Sequence, residues 1–365
     1  MSVICALKFN KHQGAIISDE EYWLQRRRRI HFCDNITDLL TEEMSDELGM
    51  TAICATAGTP SFCYDITRKA KKNLEGKFKE KNKKNPFETI EEVANTVFNV
   101  FQDNFKKRID TKLKSLYGFN RDDLNRGTFT DKGKKYEIKQ ESIKKKATEI
   151  ATVPPKISPL DDVLEYETII LGYDKKSGMS SYGFSLQEPV LYLTSGPFEI
   201  RGRGKDVGEI SLAKYMNRKT MKQRRDGFDI VEGTIELIKS AYDAAVYNHE
   251  VGGYFNILYL DGKAKNYSER VYELKEDPAR LATEVVVANI FEELDKKSTY
   301  HIIKKILSGT ENFDAIEEEL FSRAGNGQNL EFILRGYKPD QLPDFNNDAD
   351  KKGNPKTKKK EEEKV

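Results

Sequence analysis

The feature that most constrains this chain is the order in which its periodicities arrive. Short apolar stretches come first, then two helical patterns, then apolar stretches again, then two more helical patterns, then a final apolar stretch. Sheets and helix pairs alternate as blocks and not as βαβ units, which argues for two antiparallel sheets packed on one another between layers of helices. The predicted class is α+β, a four-layer αββα sandwich, with a charged insertion and a helical C-terminal extension.

The first block opens at the chain start. Val3–Lys8 and Ala15–Ser18 are apolar and flank Asn10-Lys11-His12-Gln13-Gly14, which reads as a β-hairpin. Met50–Ala57 is rich in small residues and closes on Gly58-Thr59-Pro60, after which helical periodicity begins near Ser61. Phe87–Ile109 repeats Phe87, Ile90, Val93, Ala94, Val97, Phe98, Phe101 and Phe105 at helical spacing, so the stripe is a core face. Asn85 is its expected cap, with Pro86 in the first turn.

Strand character returns at Thr168–Tyr173, Val190–Thr194 and Phe198–Arg201. Helices are predicted over about 207–216 and 230–247. Tyr254–Leu260 is the last strand, ended by the turn pair Asp261-Gly262. The expected boundaries are a sandwich in two parts, 1–112 and 164–275, a charged insertion at 113–163, helices at 276–343 and a disordered charged tail at 344–365. No internal repeat is found.

Composition narrows the function. Lys plus Arg total 61 and Asp plus Glu 60, so no net field favours nucleic acid or an anionic membrane. No apolar run approaches the ~20 residues of a bilayer span, and the first residues lack a secretory leader. The expectation is a cytoplasmic protein without nucleic-acid or membrane partners. Cys5, Cys33, Cys54 and Cys63 form no CxxC pair, and His12, His31, His249 and His301 show no ligand spacing. Neither a metal nor a cofactor is predicted, and the cysteines are expected as buried free thiols.

The chemistry concentrates at the amino end. Methionine aminopeptidases clear Met before small residues, which would leave Ser2 with a free α-amine. That amine's reference pKa is near 8, so it can take the proton of its own side-chain hydroxyl. Ser2 opens a strand directly. The neighbouring strand ends Ser18-Asp19, and an acid there can hold a cation and orient the amine; the other reading of Asp19 is a turn or capping carboxylate.

The segments Ala6-Leu7-Lys8 and Gly14-Ala15-Ile16-Ile17-Ser18-Asp19 resemble the opening hairpin of proteasome β subunits, N-terminal-nucleophile (Ntn) hydrolases in which a Thr begins the first strand and an Asp ends the second. Ala55-Thr56-Ala57-Gly58 is similar to the family segment that supplies an oxyanion-hole glycine. Gly202-Arg203-Gly204 resembles the family's Gly-Ser-Gly turn. Ala241-Tyr242-Asp243-Ala244 through Gly252-Gly253-Tyr254-Phe255-Asn256-Ile257 is similar to its closing helix, Gly-Gly turn and strand. The resemblance covers about 2–79 and 167–263. It implies an Ntn-hydrolase fold, a peptide or protein substrate, and a homo-oligomer or a ring with related subunits.

Three departures bear on activity. The family's catalytic lysine precedes its third strand, yet no lysine lies between Lys11 and Lys69, and Arg28 or Arg29 stands nearest. Arginine stabilises negative charge but does not shuttle protons near neutrality. Arg203 replaces the serine of Gly-Ser-Gly. Asn248 and Val251 stand where the family has its supporting Asp and Ser. The resemblance implies the catalytic set Ser2, Asp19, Arg29, Gly58 and Asn248. Two functions stay open: a peptidase working through an acyl-enzyme on Ser2, or a degenerate structural subunit that keeps the scaffold. Arg26–Arg29 reads as a solvated face or a nucleic-acid patch, Gly202-Arg203-Gly204-Lys205 lacks the full phosphate-binding pattern, and no G-x-S-x-G elbow marks a conventional triad.

Overall fold

The computed structural model describes residues 2–19, 22–24, 28–30, 35–80, 86–152, 164–248, 251–309, 312–337 and 341. For residues 22–24 and 28–30 it describes the backbone alone. Asn85, Arg26, Arg27, His31, Cys33, His249 and the tail after Asp344, all singled out from the sequence, lie outside the described residues.

In chain order the elements begin with the hairpin β1 (Val3–Lys8) and β2 (Gln13–Asp19), the short pair β3 (Tyr22–Leu24) and β4 (Arg28–Ile30), then β5 (Ile36–Asp38), α1 (Glu42–Leu48), β6 (Thr51–Gly58) and α2 (Pro60–Lys79). The long α3 (Ile90–Tyr117) leads into α4 (Arg121–Arg126), the hairpin β7 (Thr128–Asp131) and β8 (Lys134–Glu137), and α5 (Glu141–Thr152). The second half of the sandwich is β9 (Tyr166–Asp174), β10 (Gly178–Ser185), β11 (Tyr192–Leu193), β12 (Phe198–Gly202), α6 (Lys205–Asn217), α7 (Met221–Asp226), α8 (Ile230–Tyr247), β13 (Phe255–Asp261), α9 (Tyr267–Arg270) and β14 (Val271–Leu274). Last come α10 (Glu276–Ile290), α11 (Lys296–Ser308), α12 (Phe313–Arg323) and α13 (Gly327–Leu334).

One five-stranded sheet has the order β12-β1-β2-β13-β14 and the other β11-β10-β9-β6-β5. The pairings are antiparallel. Side-chain alternation explains why these strands read as nearly continuous apolar runs. In β6, Ile53, Ala55 and Ala57 join Ile4, Ala6 and Ile16 of the opposite sheet in one core. Ala52 and Cys54, on the other face of β6, pack into a second core with Phe62, Ile66 and Ala70 of α2 and Val93, Val97 and Phe101 of α3. The helices α6 and α8 pack on the outer face of the first sheet. Four layers result, helix on sheet on sheet on helix: the αββα sandwich predicted from the block order. The aromatic stripe is part of it, with Phe98 and Phe101 each 5.1 Å from the Phe184 ring and each such pair adding roughly 0.5–1.5 kcal/mol beyond simple burial.

Three local expectations change. The α3 helix starts at Ile90, where Thr89 Oγ1 accepts the Glu92 N–H; a threonine N-cap satisfies an orphan donor that Pro86, three residues earlier, leaves untouched. Strand β10, Gly178-Met179-Ser180-Ser181-Tyr182-Gly183-Phe184-Ser185, falls between the strands expected from the sequence, because its small and polar residues imitate a loop; it is buried along almost its whole length. The stretch expected as a charged, partly helical insertion contains α4 and α5 and adds a hairpin and a small core, Ile109, Leu113, Phe119, Ile138 and Ala147. That core is supplied partly by α3, which at 28 residues is about 42 Å long.

The chain divides into a compact unit Met1–Thr283 and a second unit Glu284–Val365. In the second, α11, α12 and α13 bury Ile302, Ile303, Ile306, Ile316, Leu320, Leu330 and Ile333. Glu319 on α12 accepts Lys305 of α11 at 2.8 Å and Arg323 at 2.6 Å.

Candidate active site at the Ser2 cleft

Ser2 stands one residue before β1 and is 5% exposed. Its backbone is gripped by the first sheet: Val3 pairs with Gly202 of β12, and the Ser2 carbonyl accepts the Arg203 N–H at 3.1 Å. Gly202 is required for this approach. It has φ of +88°, and a Cβ there would overlap the Ser2 carbonyl oxygen. The Glu167 carboxylate accepts the Gly202 N–H at 3.1 Å, which ties the same turn to β9 of the other sheet.

Asp19 closes β2 next to Ser2 and is fully buried. Its Oδ1 accepts the Val3 N–H at 3.0 Å and its Oδ2 the Gly252 N–H at 3.2 Å. Burial pushes the carboxyl up to about 8, opposed by the hydrogen bonds from Gly252, Val3 and the Ser2 side chain. The two main-chain donors offset that burial only in part, so the carboxyl is more readily protonated than an exposed acid.

Asn35, the residue just before β5, joins the two. Its Nδ2 donates to Ser2 Oγ at 2.9 Å and to the Asp19 carbonyl at 3.1 Å. Its own carbonyl accepts the Thr56 N–H of β6 at 2.9 Å. Nothing in the sequence singled this residue out. The available signal was its place, immediately before an apolar strand start.

Gly58 ends β6. Thr59 donates its N–H to Glu165 across the β6–β9 pairing at 2.8 Å, while Thr56 sends its N–H the opposite way, to Asn35. Alternation along an antiparallel ladder turns the Gly58 N–H to the same side as that of Thr56, where Gly58 borders a cleft of about 390 Å³. Gly58 has φ of +140°, and a Cβ there would run into the Glu165 carbonyl.

Ser2, Asn35, Thr37, Thr56 and Gly58 form one end of that cleft. The face of α2 forms its length: Pro60, Cys63, Tyr64, Thr67, Arg68 and Lys71 recur at helical spacing. Cys63 is no competing nucleophile, since burial pushes its thiol to about 12.

The other residues chosen from the sequence fall as follows. The Arg29 backbone pairs with Trp23 in the β3–β4 hairpin, and its side chain lies outside the described residues, as does that of Arg28. Asn248 follows α8; its carbonyl accepts the Val251 N–H at 3.0 Å in the turn that brings Gly252 to Asp19, and it does not line the cleft. The Arg203 side chain pairs with Glu165 at 3.2 Å. Cys5, Cys54 and Cys63 are buried free thiols. Among the described residues no cluster of three or more His, Cys, Asp or Glu could hold a metal ion, and no helix is long and apolar enough to cross a membrane.

No family model matches the sequence, and no curated protein matches it. Among solved structures the chain is similar to Anbu (ancestral beta-subunit) from Yersinia bercovieri, at 10% identity and a TM-score of 0.45, over 75% of this chain and 88% of that one.

Proposed function

We propose that this chain is an N-terminal-nucleophile hydrolase of peptide bonds, with Ser2 as nucleophile once Met1 is removed. The observation that carries the reading is the hydrogen bond from Asn35 to Ser2 Oγ at the end of an open cleft, with Asp19 buried immediately beside it. Ser2 Oγ attacks the substrate carbonyl while the Ser2 α-amine takes the hydroxyl proton. Charge developing on the carbonyl oxygen meets the Gly58 N–H. The ammonium then gives its proton to the departing amine, leaving an ester on Ser2. The amine next removes a proton from water, the hydroxide attacks the ester, and the proton returns to Ser2 Oγ as the acid leaves. Asp19 holds the Val3 and Gly252 N–H groups on either side of the nucleophile, and on this reading it receives a hydrogen bond from the terminal ammonium.

A second reading is supported by the same spot. The residue beside Ser2 and Asp19 is Asn35, where the resemblance to proteasome β subunits calls for a lysine, and an amide neither takes nor gives a proton. On this reading the chain is a structural subunit that keeps the sandwich and its assembly surfaces, and a homo-oligomer or a ring with related subunits is expected on either.

One experiment divides the two. Intact mass establishes whether Met1 is gone, and the mature protein is treated with an uncharged strained lactone or epoxyketone. Covalent labelling of Ser2 that disappears in Ser2→Ala supports the hydrolase. A chain with Met1 removed that forms no adduct is the structural subunit.

A further inference from the structure

The two groups that the hydrolase reading brings to one carbonyl stand on different sheets. Ser2 leads into β1 of the first sheet, and Gly58 ends β6 of the second. A slide of one sheet past the other would part Ser2 Oγ from the Gly58 N–H, and a misplacement of about 1 Å can cost about 100-fold in rate. Whatever fixes the two sheets against each other at this end therefore bears on the chemistry.

A continuous path of contacts joins the two. The Arg203 N–H donates to the Ser2 carbonyl at 3.1 Å, and the Arg203 guanidinium pairs with the Glu165 carboxylate at 3.2 Å. Glu165 is in turn clamped to the turn after Gly58: its carbonyl accepts the Thr59 N–H at 2.8 Å, and its own N–H donates to Thr59 Oγ1 at 3.1 Å. One residue before Arg203, the Glu167 carboxylate accepts the Gly202 N–H. A Cβ on Gly202 would stand 3.1 Å from the Ala57 Cβ, so the sheets are close enough here for a side chain to reach across. Neither Arg203 nor Glu165 lines the cleft. A serine in the same turn offers an uncharged hydroxyl close to the main chain, and not a cation at the end of a long stem.

We infer that Arg203 is a positioning residue: its ion pair with Glu165 straps the strand end that holds Ser2 to the turn that holds Gly58, and so sets the nucleophile against the oxyanion donor. The inference rests on the hydrolase reading for its effect on rate, but not for the strap itself. Arg203, read from the sequence as a departure from the family turn, is then a support in its own right and not a plain loss. The side chains of Arg203 and Glu165 are 46% and 24% exposed, so water weakens the pair and its share of global stability is small. A tie of that strength acts on alignment, and salt can loosen it without unfolding the chain.

Two readouts on the full mature chain keep the strap and the hydrolase reading apart. The first is labelling by the uncharged lactone, resolved into kinact and KI. Arg203→Met and Glu165→Gln are each expected to lower kinact about fivefold, the equivalent of roughly 1 kcal/mol, with KI unchanged. Arg203→Lys recovers part of the loss, and Arg203→Glu combined with Glu165→Arg recovers most. Salt raised toward about 0.5 M slows the wild type toward the variants and leaves the variants where they are. The second readout needs no reaction: amide hydrogen exchange at the far end of the strap. Glu165→Gln should cut the protection of the Arg203 N–H, and Arg203→Met that of the Thr59 N–H, each about fivefold, with the Thr59 protection restored in the reversed pair. Far-end protection that stays at its wild-type value overturns the inference whatever the probe does, and so does a fall in kinact that the reversed pair leaves uncorrected. Failure of the probe on the wild-type chain overturns the hydrolase reading, and the exchange result still decides the strap.

Discussion

Two buried acids of the same sheet make an instructive pair. Glu199 on β12 and Asp19 on β2 are 8% and 0% exposed, and burial raises both carboxyls, to about 7 and about 8. Their surroundings differ. Glu199 is met by side chains: Arg201 Nε at 2.8 Å, the Tyr192 hydroxyl at 2.8 Å and the Thr194 hydroxyl, with Lys8 adding its charge. Asp19 is met by the main-chain N–H groups of Val3 and Gly252. A carboxylate enclosed by side-chain donors and a cation is a structural tie between β12 and the β11 segment. Asp19 has main-chain donors and no described cationic side chain, and on the hydrolase reading proposed above its cation would be the Ser2 ammonium.

The sharpest way to break the comparison is to strip Glu199 of its cation. Arg201→Met leaves a buried acid without its partner and should cost about 3–5 kcal/mol at pH 8. Urea unfolding should show the loss shrinking toward pH 6, where Glu199 takes up a proton and no longer needs the guanidinium. A loss independent of pH would mean that the arginine acts through packing over the Tyr192 ring, 5.0 Å away, and the two acids would then not be alike.

Gly202 tests whether the two clusters are mechanically joined. It follows Arg201 directly and touches the Ser2 carbonyl. Gly202→Ala meets both a positive φ and a backbone collision, so a loss of about 1–3 kcal/mol is expected. Probe labelling of Ser2 should fall with it, because the main chain that aims Ser2 must shift. Stability lost with labelling kept would show that the nucleophile is set by Asn35 and Asp19 alone.

The pH dependence of stability separates the acids by window. Asp19 is raised from its ordinary 3.8 to about 8, so the folded chain holds a proton that the unfolded chain has released. Its contribution is complete below about pH 4 and is lost as pH rises through about 8. Asp19→Asn removes the effect, so the variant-minus-wild-type stability should climb by up to about 1.4 kcal/mol per pH unit within that window. Glu199→Gln should show the same sign between its ordinary 4.5 and about 7. A flat difference curve for Asp19→Asn would place a cation beside Asp19 already in the resting chain.

The contrast also explains what was legible in the sequence. The block order and the apolar runs exposed the sandwich because both sheets are covered on both faces, so every inner strand needs apolar or small residues. Ser2 and Asp19 were legible because each marks a strand end in a single hairpin, a local relation. Asn35 was not, since its role arises only when β5 docks on β6 and brings residue 35 against residues 2 and 19. The α2 face was hidden for a related reason: Pro60, Cys63, Thr67 and Lys71 mix polarity and follow no single physical type, and only the cleft they border groups them. Strand β10 escaped because close packing there demands small side chains. Gly183 stands against the Glu199 carboxylate, leaving no space for a Cβ.

The smallest expected effect is the most specific to the Ser2 side of the comparison. Asn35 contributes one hydrogen bond to Ser2 Oγ and one to the Asp19 carbonyl, both from the same amide nitrogen. Asn35→Ala removes the donor that fixes the hydroxyl while leaving the backbone bond from Thr56 to residue 35 in place. Probe labelling of Ser2 should slow by about tenfold, the equivalent of roughly 1.4 kcal/mol, with stability changed by about 1 kcal/mol. Asn35→Asp tells positioning from simple space filling, because it keeps the shape but offers only acceptors. The Ser2 hydroxyl would then donate to residue 35 and turn its lone pairs from the cleft, and labelling should slow at least as much as in Asn35→Ala. If Asn35→Asp labels as fast as wild type, the amide only fills space, and the nucleophile is oriented by its own amine and Asp19.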